Sequence, residues 1–512
     1  MNSSTTNPPI DSDTYNYLKP FNDFLEDFKT VLNNVYSDQG NIDYLNTNRG
    51  FPPKMLETIM AGNPLSVGIP TEYGGRGGSL SENLAVLAAA SYQSLALSLT
   101  LGINSALFLQ PVSKYAQDDI KASVFNRFLN DKAMGGLMIT EPDHGSDALN
   151  MNTSFVKVDG HYHLQGTKHW AGLTGFADFW VLTARQKNTD GKLLRDIDFF
   201  ICDVSKPDQK IIVEEEFDNL GLYPIPYGRN HIDVRLPELN RLIPQTSGVK
   251  MMLDLLHRSR LHFPGMGLGF IKRMLDEAIA HCQTRNVGGQ SLFNYDQVQQ
   301  RLARHQSAFT ICSALCAGGS VLSDANNDLT THNIEANVIK SVTADLMQET
   351  SQSLLQLIGA KAYRLSNVAG RASVDSRPFQ IFEGSNDILY TQISQAILKL
   401  MKHTKEFNVY QFFKSYTLTT NAVDYLKSLL DFEVNIHIPQ RKLVELGSVI
   451  SRVIAMEYVI ELGNKGFRTD MITNALMMLK QEVTSMVSTY SFSNTTQVIT
   501  DYEENASWFG LA

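Results

Sequence analysis

The apolar residues of this chain change their spacing twice, and that change limits the fold more than any other feature. From about Tyr15 to Lys132 they recur at helical intervals, with Met55, Leu56, Ile59 and Met60 on one face and an Ala-rich stretch continuing from Leu84 to Leu101. Residues 69–78 interrupt that run with a Pro and four glycines, a sharp turn between helices. From Gly136 to about Leu242 the period falls to two. Residues 155–158 and 161–164 flank an Asp159-Gly160 pair suited to a hairpin turn, and residues 179–182, 199–201, 211–213 and 231–234 are further short strands, spaced as in a sandwich or barrel. After Gly248 helical spacing returns. Leu268, Ile271, Met274, Leu275, Ala278, Ile279 and Cys282 form one stripe and Val298, Leu302, Phe309, Cys312 and Cys316 another; helices over 334–358 and 388–401 complete a four-helix bundle. Beyond Lys405, Leu446, Val449, Ile450, Val453, Met456 and Ile460 mark a further helix, with Pro439 near its start.

The expected fold is therefore mainly α with a β insert: an N-terminal helical domain (1–135), a middle β domain (136–245), a four-helix bundle (246–404) and an additional helical domain (405–512). A chain of 512 residues exceeds one ordinary core, which agrees with that division. The net charge of −9 and the lack of a dense Lys/Arg block argue against nucleic acid. No uncharged apolar run is read as spanning a bilayer, and residues 1–11 are polar without a basic-to-apolar leader, so a cytoplasmic address is expected. The four cysteines lack CxxC spacing and sit in apolar segments, which points to reduced, packed thiols. His161 and His163 share a strand face without an acidic or cysteine partner nearby in sequence, and read as a polar hairpin face with no metal.

Five segments carry chemistry. Residues 138–147, Met-Ile-Thr-Glu-Pro-Asp-His-Gly-Ser-Asp, end a strand at Pro142 and open a Gly-Ser turn offering backbone N–H groups and a hydroxyl. Gly166-Thr167-Lys168-His169-Trp170 follows. Arg285 with Gly289, Leu292, Val298 and Leu302 places a guanidinium, suited to paired phosphate oxygens, at a helix end. Residues 356–362, Gln-Leu-Ile-Gly-Ala-Lys-Ala, form the fourth, and residues 379–389, Phe-Gln-Ile-Phe-Glu-Gly-Ser-Asn-Asp-Ile-Leu, the fifth. In the last, Phe379, Ile381 and Phe382 can surround the Glu383 carboxyl and raise its pKa towards that of a general base.

Together these segments, from roughly Phe51 to Met401, resemble the acyl-CoA dehydrogenase family. The fifth and the C-terminal extension are most similar to its very-long-chain members. The resemblance implies FAD-dependent α,β-dehydrogenation of a medium to long acyl thioester, with Glu383 removing the α-proton while the β-hydrogen leaves as hydride to the flavin. It assigns flavin contacts to Met138, Thr140, Gly145, Ser146, Trp170, Arg285, Gln356, Ser385 and Asp387, and substrate contacts to Ser146, Arg260 and Gly384. Ser259 stands where some relatives carry their base, which leaves Glu383. His257 stands where many members have an Asp that contacts CoA. Gly172 replaces a usual Thr, Gly288 a Phe, Asp296 a Gln, and Ala360 and Ala362 two glycines. The implied partners are acyl-CoA or an acyl-carrier-protein thioester, an electron-transfer flavoprotein as acceptor, and a second subunit in a dimer or a tetramer, with peripheral membrane association through the extension as an option. Two alternatives remain open: an oxidase or monooxygenase on the same fold, and a flavin-free, non-catalytic scaffold.

Overall fold

The computed structural model describes residues 19–322, 327–493 and 495–512. The readings over residues 1–11 and 15–18 lie outside them.

The N-terminal section contains helices α1 (Phe21–Ser37), α2 (Gln39–Thr47), α3 (Pro53–Ala61), α4 (Leu80–Gln93), α5 (Leu95–Gly102), α6 (Gln110–Tyr115) and α7 (Asp118–Asn126). Met55, Leu56, Ile59 and Met60 are all buried, as their spacing requires. The Ala-rich run is two helices. Ser94, extended at φ −152°, ends α4 and caps α5 by accepting a hydrogen bond from Leu97 N–H, a local bond that competes with helix continuation. Among the described residues one helical run, Leu95–Tyr115, is long and apolar enough to cross a membrane, yet 94% of its most apolar window is buried inside the fold. In the turn before α4, a Cβ on Gly75 would lie 2.1 Å from the Ile69 carbonyl oxygen, so only glycine fits.

The middle section is a curled seven-stranded sheet of β1 (Gly135–Met138), β2 (Ser154–Val158), β3 (His161–His169), β4 (Phe179–Gln186), β5 (Asp198–Asp203), β6 (Ile212–Glu216) and β7 (Gly228–Pro237). Asp159 at φ 48° and Gly160 at φ 74° make the β2–β3 hairpin turn, with the left-handed pair a two-residue loop needs. The curl centres on β4, which pairs in parallel with β1 over Phe179–Leu182 and with β2 over Arg185–Gln186, and antiparallel with β5 on its other edge. Its first six residues are all buried, as befits a strand covered on both faces.

The third section packs α8 (Gly248–Thr284), α9 (Asp296–Leu322), α10 (Asn333–Ile358) and α12 (Asn386–Thr404), with α11 (Val368–Asp375) against α10 and α5. A short ribbon, β8 (Asn286–Val287) and β9 (Gln290–Ser291), follows α8. Gly265 and Gly269 lie one turn apart on α8. A Cβ on either would come within 2.8 Å or 1.9 Å of the Leu84 or Ala88 carbonyl oxygen of α4, so these glycines let the two helices meet backbone to backbone and fix α8 against the N-terminal section. After α12 come α13 (Val409–Ser415), α14 (Lys427–Leu430), α15 (Gln440–Asn464) and α16 (Thr469–Ser491). The last two extend the bundle core. A Cβ on Gly447 of α15 would meet the Tyr390 carbonyl of α12 at 2.1 Å, and Arg452 of α15 pairs with Asp345 of α10 at 2.8 Å and Glu482 of α16 at 3.0 Å. Cys202, Cys282, Cys312 and Cys316 are free thiols, the first three buried.

Candidate active site

Between α11 and α12 the chain makes a turn anchored by aromatic rings. Phe379 and Phe382 lie with centroids 4.9 Å apart, and Phe263 of α8 packs against them at 5.6 and 5.9 Å. Beyond them the backbone enters left-handed space, with Glu383 at φ 57° and Gly384 at φ 87°. Glycine adopts this freely; a glutamate held there costs on the order of 1–3 kcal/mol and must be fixed by its surroundings. Two buried cations do so. Arg260 Nε donates to the Glu383 carbonyl at 3.0 Å and its Nη1 to Asn337 Oδ1 at 2.7 Å. Lys340 Nζ donates to the Gly384 carbonyl at 2.8 Å and to Asn386 Oδ1 at 3.0 Å. Peptide planarity then turns the N–H groups of Gly384 and Ser385 to the opposite side.

Glu383 itself stays partly open, while its Oε2 is buried with no hydrogen-bond partner among the described residues. Burial raises its pKa above the ordinary carboxylate value, and the charges of Arg260 and Lys340 with the Ser259 hydroxyl oppose that rise. The same burial pushes Arg260 down to about 10 and Lys340 down to about 7. A carboxyl with a raised proton affinity and an idle oxygen is a group placed to take a proton.

A second cluster forms at the edge of the sheet. His169 N–H donates to the Thr140 carbonyl at 2.8 Å, joining the ends of β1 and β3. Trp170 follows at φ 57°, an outlier for a bulky side chain, pinned through its N–H to the Gly228 carbonyl at 3.0 Å. Its indole is 54% exposed and packs against Phe217 at 4.6 Å, with Tyr227 at 6.4 Å. Gly145 and Ser146 are exposed in the neighbouring turn, and nothing stands within 4 Å of a Cβ on Gly145. Met138 is buried, its carbonyl accepting from Thr183 Oγ1 at 2.9 Å. Under the turn Glu141 accepts from Lys168 at 3.0 Å and from the N–H groups of Asn152 and Thr153 at 2.6 and 2.9 Å. The departure at Gly172 has a steric cause: a Cβ there would lie 2.8 Å from Ile103 Cδ1 and 3.3 Å from Tyr227 Cε1.

The loop before β7 links the two clusters. Leu222 N–H donates to Asp375 Oδ1 at 2.6 Å, and Gly221 lies so close to the Val374 carbonyl that a Cβ would meet it at 2.6 Å. Tyr227, beside Trp170, has its hydroxyl pKa raised by burial first and by the Asp375 charge second. The sheet edge is thereby tied to the helix that leads into Glu383. Ser385 is the N-cap of α12 and Asp387 lies in its first turn. Arg285 caps the far end of α8, exposed, and Gln356 lies exposed in the last turn of α10. Those two ends adjoin because α8 and α10 run side by side in the same direction, with Arg260 bonded to Asn337 and Gly267 set against Thr343. No hydrogen bond ties either residue to the Glu383 cluster among the described residues. Gln356 also borders a cavity of about 550 Å³ with Arg301, Arg304 and His305. His257 is buried against the Leu329 carbonyl at 2.7 Å, and His163 lies 2.6 Å from Asp233 Oδ1. Sequence reasoning missed Lys340, Asn386, Asp375 and the Glu141–Lys168 pair. For Lys340 a signal existed: a lone lysine among Ala336, Val338, Ile339, Val342 and Ala344, all buried.

Three family models cover most of the chain: the acyl-CoA dehydrogenase N-terminal domain at residues 26–132, the middle domain at 136–234 and the C-terminal domain at 246–398. The probable acyl-CoA dehydrogenase YngJ of Bacillus subtilis is 25% identical over 361 residues, 68% of this chain and 90% of that protein. The mitochondrial very long-chain specific acyl-CoA dehydrogenase of Rattus norvegicus is 25% identical over 329 residues, 63% of this chain and 49% of that protein. In structure, an acyl-CoA dehydrogenase from Bacillus anthracis, solved with FAD, matches 94% of this chain and 90% of its own with a TM-score of 0.77 at 18% identity.

Proposed function

The chain belongs to the acyl-CoA dehydrogenase family of FAD-dependent oxidoreductases, and we propose that it desaturates a medium to long acyl-CoA, with Glu383 as the base that removes the α-proton. The observation that carries this reading is the buried, unpartnered Oε2 of Glu383 on a turn whose backbone two cations hold in a strained shape. Burial sets the proton affinity of the carboxyl above that of an exposed glutamate, closer to what α-proton abstraction at neutral pH requires.

The residues fit FAD. The half-exposed indole of Trp170 is an apolar platform, and the open Gly145-Ser146 turn beside it supplies donors for a ring edge. FAD, when bound, accepts the hydride that leaves Cβ. We assign Met138, Thr140, Gly145, Ser146 and Trp170 to the ring end and Ser385 and Asp387 to contacts across the turn. Arg285 and Gln356, at adjoining helix ends remote from the turn, serve the phosphate and adenosine portions of a neighbouring subunit's cofactor, so the enzyme works as a homodimer or a tetramer; its address in this reading is cytoplasmic. Ser146 and Gly384 meet the thioester, and Arg260 acts from beneath by holding the Glu383 carbonyl. An electron-transfer flavoprotein is the acceptor in this reading. The four-part division at 135, 245 and 404 belongs to it as well.

The test is an anaerobic absorbance spectrum of the purified holoenzyme with a panel of saturated acyl-CoAs, repeated on Glu383→Gln. Bleaching of the flavin band by wild type and its loss in the variant is the expected result, and the panel ranks chain lengths. Bound flavin that no acyl-CoA bleaches would move the substrate to a carrier-protein thioester or the chemistry to oxygen. Protein that binds no flavin would be a scaffold, and the enzyme reading would fall.

A further inference from the structure

We propose that Lys340 is a positioning residue for the base: by holding the Gly384 carbonyl and the Asn386 side chain it keeps the strained turn, and with it the Glu383 carboxylate, in place. This rests on the reading of Glu383 as the base.

A lysine buried in the middle of α10 is costly unless its ammonium is satisfied. The contacts of Lys340 all face the turn. It donates to Gly384 O at 2.8 Å and to Asn386 Oδ1 at 3.0 Å, and it lies 5.6 Å from the Phe263 ring that wedges under Phe379 and Phe382. Asn386 is held in turn, donating to the Ser341 carbonyl at 3.1 Å and to Asp345 Oδ1 at 2.7 Å. Asp345 is fixed by Gln380 at 2.8 Å and Arg452 at 2.8 Å. A residue needed only to fill this volume would be a methionine or leucine, which carry no charge to desolvate.

Arg260 and Lys340 divide the labour. Arg260 holds the carbonyl of Glu383 and Lys340 that of Gly384, so two successive peptide units are fixed from below. Remove Lys340 and the glycine is free to turn, because no side chain restricts it; the non-glycine residue before it then relaxes out of left-handed space. The groups facing the Glu383 carboxyl are Arg260, Lys340 and Ser259, and those facing Lys340 are Arg260, Glu383 and Asp345. Removing one of the two cations beside the carboxyl raises its proton affinity.

The experiment uses the holoenzyme as wild type, Lys340→Met, Lys340→Arg and Glu383→Gln. Its readout needs no electron transfer: exchange of solvent deuterium into Cα of 3-thiaoctanoyl-CoA, whose β-sulfur leaves no hydride to give. Affinity for this ligand and thermal unfolding are measured beside it. Lys340→Met, saturated with flavin and ligand, should exchange roughly 100-fold more slowly, the scale of loss a misplaced base produces, and show its acid limb at higher pH. Lys340→Arg, which keeps the charge, should recover the larger part of the rate. Wild-type exchange and an unmoved limb in Lys340→Met, with Glu383→Gln inactive, would overturn the positioning role alone. Wild-type exchange in Glu383→Gln would overturn the reading of the base, and this inference with it. Should Lys340→Met fail to fold, Asn386→Ala removes one acceptor of the ammonium: slower exchange at saturating ligand supports the role, and an unchanged rate refutes it.

Discussion

Replacing Lys168 with Met should cost the fold about 3–5 kcal/mol near neutral pH, the range for a buried ion pair that loses one member. The Lys168 side chain has no exposed surface. Its ammonium donates to Glu141 Oε1 at 3.0 Å, the Ile139 carbonyl at 3.1 Å and Thr183 Oγ1 at 3.0 Å. Methionine matches the volume and supplies none of these donors. Glu141, 4% exposed, keeps its two backbone N–H bonds and loses its counter-ion. In the native protein burial pushes the Glu141 pKa up, but Lys168 and the hydrogen bonds outweigh it, so the folded value lies below the ordinary 4.5. That stabilisation is complete above the unfolded value and is lost as pH falls through the folded one. In the variant burial prevails, the folded value rises above the unfolded one, and the carboxylate destabilises the fold at higher pH. Lys168, which burial lowers to about 8, stays charged in both states from about pH 4 to about pH 7, so over that interval Glu141 sets the trend and the gap between the two proteins is wider near about pH 7 than near about pH 4. Adding Glu141→Gln should restore at least about 2 kcal/mol. Two of the three tryptophans, Trp170 and Trp180, lie in the sheet section. Guanidinium unfolding followed by tryptophan fluorescence thus reports the right region for all four proteins of the cycle. A loss under about 1 kcal/mol, or a double variant no more stable than Lys168→Met at either pH, would refute the reasoning.

Gly172→Thr should destabilise by about 1–3 kcal/mol through overpacking against Ile103 and Tyr227; Ile103→Val, which removes the blocking methyl, should recover part of that loss in a denaturation cycle, whereas strict additivity would exonerate Ile103. Asp375 is buried and its pKa is raised to about 6 from 3.8, chiefly by burial. Between those values the folded state binds the extra proton, so this group loses stability as pH rises. Asp375→Asn keeps an acceptor for Leu222 N–H and should gain roughly 2–3 kcal/mol over wild type as pH goes from about 4 to about 7, read from urea midpoints at both pH values. Arg452→Met strips the counter-ion from Asp345 and leaves Glu482 only Arg304 at 3.5 Å, and should cost about 3 kcal/mol or more; a normal unfolding midpoint would show that α15 is not tied to the bundle through this residue.

Much of the fold was legible because it is written locally. The change of period separates the sheet from the helices, Asp159-Gly160 fixes a hairpin wherever two strands flank it, and Phe379, Phe382 and Gly384 bracket Glu383 within six residues. Other features were not legible, since the atoms that explain them come from elsewhere in the chain. Glu141 reads as part of a turn beside a flavin, yet its carboxylate is spent on Lys168, 27 residues on. Gly172 reads as a lost hydrogen bond until Ile103 is found in the space a threonine would fill.

The sequence by itself determined the order of helical and β sections, the place of the acidic turn and the resemblance its motifs carry, because periodicity, turn chemistry and short motifs act over a few residues. Only the tertiary structure decided that Glu383 sits at a positive φ, that Arg260 and Lys340 hold successive carbonyls beneath it, and that Asp375 ties the sheet edge to the same turn. Hydrogen bonds and desolvation depend on which groups meet in space. Lys340 is 44 residues and Arg260 123 residues from the carbonyls they hold, so no local pattern could announce them.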